Sequence, residues 1–160
     1  MLLHLPVNHR YRAAYRFLAA LTGLYVLAFG IVGVAVSRGH DVFSREHLSA
    51  LGLRTNLAFA ILSIVVGVIV LVGVVVGRNW DHILNLVGGL AFLLAGMLML
   101  SLLQTDLNLL NYSVATCVVS FVIGLVLLAA GLYSRAGSAA DTEAVEQDRH
   151  RTAPVSGRAG

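Results

Sequence analysis

Histidines, carboxylates and a lone cysteine are the residues of this chain that could do chemistry, and their placement limits them. His40, Asp41, Glu46 and His47 fall within eight residues, a density that invites a metal ion. A tetrahedral site needs ligands at closed spacings, however, and His40 to His47 is not one, so solvated loop residues are the simpler expectation. A haem between helices needs histidines projecting into a bundle. The six histidines are His4, His9, His40, His47, His82 and His150, and none lies inside an apolar stretch. A proton-coupled exporter needs a carboxylate within the membrane; Asp81 and Asp106 stand at the edges of apolar stretches, and Asp41 and Glu46 in a loop. The single cysteine, Cys117, excludes an internal disulfide or a CxxC pattern and is expected to be an inert packing residue. No nucleophile motif, phosphate-binding glycine loop or cofactor fingerprint is present, so neither an enzyme nor a cofactor is expected. One polar group remains. His82 and Asn85, with Trp80 beside them, form either an interfacial polar cap or a contact for a lipid or quinone headgroup.

The elements that carry these residues are set by composition. Of the 160 residues, 58% are hydrophobic and only 12% charged, with mean hydropathy +0.85; a soluble domain carries about 25% charge. The missing charge has been removed from four stretches, Phe17 to Val36, Asn56 to Val76, Ile83 to Leu103 and Tyr112 to Tyr133. Each holds no Asp, Glu, Lys, Arg or His, and each has the roughly 20 residues that cross a hydrocarbon core about 30 Å thick. Backbone groups in lipid must be satisfied within the segment, so the stretches are helices. The expected fold is an all-α antiparallel bundle of four transmembrane helices over residues 15–135. A cytoplasmic segment, 1–14, precedes it and a disordered cytoplasmic tail, 136–160, follows. The first span is too long for a signal-peptide core and lacks a clear cleavage site, so it is expected to be retained.

All eleven basic residues are arginine. Arg10, Arg12, Arg16, Arg78, Arg135, Arg149 and Arg151 fall on the side of the tails, against Arg38, Arg45 and Arg54 on the other, which predicts both termini in the cytoplasm of a bacterial plasma membrane. Trp80, in the short link between the second and third spans, fits an interfacial anchor. In the loop Ser37–Arg54, Val42, Phe43, Leu48 and Leu51 fall roughly on one helical face, so either a short surface helix or an irregular loop is expected. No basic cluster carries interleaved aromatics, and nucleic acid is not an expected partner.

Glycines recur seven apart, on one helix face two turns from each other: Gly23 and Gly30, Gly89 and Gly96, Gly124 and Gly131, with Ala60 and Gly67 at the same spacing. Ser120 with Gly124, Gly73 with Gly77 and Ala91 with Ala95 add small pairs. In lipid, close backbone approach at small residues contributes much of helix association. These faces are expected either to pack within the monomer or to dock another membrane protein or a second copy.

With the spans placed, the chain resembles the family of small actinobacterial membrane proteins classed as domain of unknown function 4383. The resemblance rests on TDLNLLNYSVATCVVSFVIGLVLLAAGLYSR (Thr105–Arg135) and LGLRTNLAFAILSIVVGVIVL (Leu51–Leu71). In many members the second helix begins with a histidine–asparagine element; here the stretch reads Asn56, Leu57, Ala58, Phe59, so a role tied to that histidine does not carry over. The resemblance implies a four-helix fold in an actinobacterial plasma membrane and implies no activity. The expected function is that of an accessory or stabilising subunit acting through helix contacts with a membrane-protein partner or a second copy. The alternative is lipid or quinone binding, and transport is the weakest reading.

Overall fold

The computed structural model describes residues 12–77 and 80–133; the expected tail, 136–160, and most of the segment 1–14 lie outside the described residues. Four helices make up the bundle: α1 (Arg12–Val36), α2 (Leu57–Val76), α3 (Trp80–Leu102) and α4 (Val114–Tyr133). All four are long and apolar enough to cross a membrane. The shortest, α2 and α4, have 20 residues each, about 30 Å of helix. The fold is an all-α polytopic bundle, with what we call a terminal end, where α1 begins and α4 stops, and a loop end opposite it.

The helices are not evenly packed. α1 lies tightly on α2 and α3 tightly on α4, while α1–α4 and α2–α3 contacts are sparser. Small residues account for the tight pairs. A Cβ placed on Gly30 would stand 2.7 Å from the Ala60 carbonyl oxygen and the Ile64 nitrogen, and one on Gly67 2.7 Å from the Leu27 nitrogen. Ala60 is fully buried and faces Gly33. Across the other pair, a Cβ on Gly89 would meet Leu128 N at 2.7 Å and one on Gly131 would meet Leu86 N at 2.8 Å. Gly124 faces Leu93 and Gly89, Gly96 faces Phe121, and Gly23 faces Val70. Every glycine of the two-turn repeat is therefore covered by a helix of the same chain. Ser120, 3% exposed, lines a narrow crevice between α1 and α4.

The long loop contains neither a surface helix nor a wholly irregular path. Ser49–Ala50 and Leu53–Arg54 form a two-stranded antiparallel hairpin with Ala50 opposite Leu53. Leu51 (φ 49°) and Gly52 (φ 82°) make its turn, and paired positive φ values match the right-handed twist of the strands. Leu51 stands where Asn is usual, which hid the hairpin in the sequence. Ala50 and Leu53 are buried with Phe29, Phe59 and Tyr112, and the three rings pack at 5.1 and 4.7 Å between centroids.

Candidate functional site

Two features of the bundle combine polar chemistry or open space with the membrane interior. The first is at the terminal end. α3 begins at Trp80, not at Ile83 as the charge-free stretch predicts, so Asp81 and His82 are helical residues inside the bundle. Asp81 stands at a helix boundary as expected, in the first turn of α3, and its side chain is fully buried; its Oδ2 lies 3.3 Å from Arg16 Nε, and the Arg16 side chain is 34% exposed. Arg16, read from sequence as a topology-setting flank, also donates through Nη2 to the Val74 carbonyl of α2. A helix N-terminus favours a carboxylate, and Asp81 Oδ1 accepts the His82 backbone N–H at 3.0 Å. The His82 ring reaches α4, where Nδ1 bonds the Gly131 carbonyl. A carbonyl only accepts, so in this bond Nδ1 is the donor.

Asn85 lies one turn deeper on α3. It is 1% exposed, and neither amide atom has a hydrogen-bond partner. Arg16 Nε and Asp81 Oδ2 also lack an aligned hydrogen bond. Of the six such orphaned side-chain atoms among the described residues, four belong to Arg16, Asp81 and Asn85. Among the described residues the terminal end thus holds most of the poorly matched polar atoms, the other two being Ser37 Oγ and Arg54 Nε at the loop end.

The second feature is a groove between α2 and α3. Its volume is about 340 Å³, and it is lined from α2 by Phe59, Leu62, Ser63, Val66, Ile69 and Val70. From α3 come Leu84, Val87, Gly88, Ala91, Phe92 and Ala95, and Tyr112 contributes beyond them. Only Ser63 and Tyr112 bring polar atoms, and the Ser63 hydroxyl is already donated to the Phe59 carbonyl at 2.7 Å. From Phe59 to Val70 the groove follows about 16 Å of helix. Leu84, whose Cδ1 fits against Gly73, lies at its terminal end.

The sequence grouped His82, Asn85 and Trp80 as either an interfacial polar cap or a lipid or quinone headgroup contact. The structure sends the three side chains to different surroundings: His82 to the α4 carbonyl, Asn85 into the interior, and Trp80, 58% exposed, to the surface. None of them lines the groove. In the long loop, His40 Nδ1 lies 3.0 Å from Glu46 Oε2, and among the described residues no three His, Cys, Asp or Glu side chains converge.

Sequence reasoning missed the loop end, which three asparagines organise. Asn56 caps α2 by accepting the Phe59 N–H at 2.9 Å, and its Nδ2 donates to the Leu109 carbonyl at 2.7 Å. Asn111, at φ 53°, donates to the Glu46 and Thr55 carbonyls at 2.8 and 2.9 Å. Asn108 accepts the Tyr112 N–H at 2.8 Å. Outside them Arg45 pairs with Asp106 at 2.9 Å. The signal available was two asparagines in a short inter-helix loop, a residue type that tolerates left-handed backbone and satisfies carbonyls.

No curated protein matches this chain, and no solved structure matches it. A family model described as Domain of unknown function (DUF4383) matches residues 16–133. That span takes in all but the first turn of α1 and every element just described, from Arg16 of the buried ion pair to the end of α4, and the chain belongs to this family.

Proposed function

We propose that this is a non-enzymatic protein of the bacterial plasma membrane, with both termini cytoplasmic, that holds the acyl chain of a membrane lipid between α2 and α3. The observation that carries the reading is the groove of about 340 Å³. The groove follows about 16 Å of α2, from Phe59 to Val70, a length that suits a stretch of extended acyl chain. A helix, about 10 Å across with its side chains, does not enter it. The lining offers no unpaired charge for a headgroup, and a space open to hydrocarbon without partner atoms forfeits dispersion contacts that a chain restores. Native mass spectrometry from mild detergent tests this. A retained lipid is expected on the wild type and its loss on Ala91→Phe and Ala95→Phe, with thermal stability kept. Equal retention by the filled variants refutes the reading. A reporter fused at Gly160 that is active only after export refutes the orientation.

The accessory-subunit reading draws support from the loop end. There Val42, Phe43, Leu51 and Leu107 are 48%, 55%, 50% and 61% exposed, on loops tied down by buried asparagines. A partner or a second copy would dock on that cap rather than on glycines, which the chain's own helices cover. A photo-crosslinker at Phe43 that captures nothing in native membranes refutes it. Transport has the least support, because the hydroxyls of Thr22, Ser63 and Ser101 are donated to carbonyls of their own helices.

A further inference from the structure

Two tightly packed helix pairs, α1–α2 and α3–α4, meet along a seam, and the seam is tied differently at its two ends. At the loop end an exposed ion pair, Arg45–Asp106, lies outside inner ties that are neutral: Asn56 to the Leu109 carbonyl, and Asn111 to those of Glu46 and Thr55. Such bonds keep their partners at any protonation state and are little screened by salt. At the terminal end Arg16 is fixed to its own pair through the Val74 carbonyl and reaches across to Asp81 of the other.

We infer that Arg16 and Asp81 form a releasable latch, which holds the helix pairs together at the terminal end and governs entry to the α2–α3 groove from that side. This rests on the reading of the groove as a lipid site. The latch is strong enough to close and poor enough to open. A buried carboxylate with one imperfectly aligned cation has given up water without full compensation, and Asn85 beneath it has given up water with none. Opening would hydrate the orphaned atoms together. It would also draw Leu84, one turn along α3 from Asp81, off Gly73 of α2, which is where the groove ends. The loop end, held by its neutral inner ties with the exposed Arg45–Asp106 pair outside them, would serve as the hinge.

The test uses the full chain in detergent micelles, with Cys117→Ala removing the native thiol and Asn85→Cys as the probe of a membrane-impermeant maleimide. Ser37→Cys, fully buried at the loop end, is the control. Labelling at position 85 should rise at least tenfold with Arg16→Gln or Asp81→Asn and stay slow with Arg16→Lys, which keeps the cation, while position 37 stays slow throughout. Unchanged labelling at position 85 overturns the latch. So does a parallel rise at position 37, which would mean that the pair holds the whole fold and not the seam. Bound lipid is counted on the same samples: a labelling response without lipid on any variant refutes the lipid reading alone.

Discussion

Replacing Gly88 and Gly89 separately by alanine places one methyl group on two adjacent positions of α3 that differ only in what they face. At Gly89 the new Cβ would stand 2.7 Å from Leu128 N and 2.8 Å from Gly124 O. Both are backbone atoms of α4, so no side chain can rotate away, and α3 and α4 must separate by roughly 0.7 Å to reach ordinary contact. A gap of that size forfeits a quarter to a half of the dispersion energy of each contact it opens, and forced overpacking costs about 1–3 kcal/mol. The rigid backbone on both sides puts Gly89→Ala near the upper value. At Gly88 the new Cβ meets Leu127 Cδ1 at 3.7 Å, an ordinary contact. Alanine there should stabilise the helix by about 0.5–1 kcal/mol, the entropy that glycine forfeits. The two variants should therefore differ by about 3 kcal/mol, roughly a hundredfold in the unfolding equilibrium. Titration of detergent-solubilised protein with sodium dodecyl sulfate, followed by circular dichroism, measures the difference. Variants within about 1 kcal/mol of each other, or Gly88→Ala as the weaker one, would show that α3 and α4 do not meet at these glycines.

Asn111→Ala should cost about 2 kcal/mol, since the buried Thr55 carbonyl and the part-buried Glu46 carbonyl each lose a bond and alanine is strained at φ 53°; limited proteolysis at the loop end reads it. Leu51→Asn, at the first turn position of the hairpin, should raise stability by about 0.5 kcal/mol, because Asn followed by Gly suits this turn; a lowered melting temperature would contradict the turn assignment. Arg16→Leu alone should cost about 2–3 kcal/mol by stranding the Asp81 charge, less than for a fully buried pair because Arg16 is 34% exposed. Arg16→Leu with Asp81→Leu should recover most of that loss, and a double variant no better than the single one would argue against direct pairing.

The helices were legible because lipid imposes a simple rule, a charge-free run of sufficient length, and the glycine repeat because close helices in lipid need small residues at whole-turn spacing. The first turn of α3 was not legible. Charge-free runs end at the first ionisable group, and nothing local says that Asp81, in the first turn of α3, meets Arg16 65 positions away. The groove also escaped the sequence: Gly88, Ala91 and Ala95 have the same small character as residues that pack, and only the arrangement of four helices left them uncovered. At the loop end, Asn56, Asn108 and Asn111 read as ordinary loop residues, since nothing local says which carbonyl an amide will find.

The double duty of Asn56 bears on the order of assembly. Its side chain starts α2 and also waits for the Leu109 carbonyl, 53 residues further along the chain. As synthesis proceeds from the N-terminus, the first hairpin has only the Ser44 carbonyl and water to offer this amide until the last loop arrives. The α1–α2 pair is thereby marked as incomplete until α3 and α4 are in place. A chain stalled or cut before residue 109 would lack the carbonyl that closes this contact and would leave the Asn56 amide open to water at the loop face.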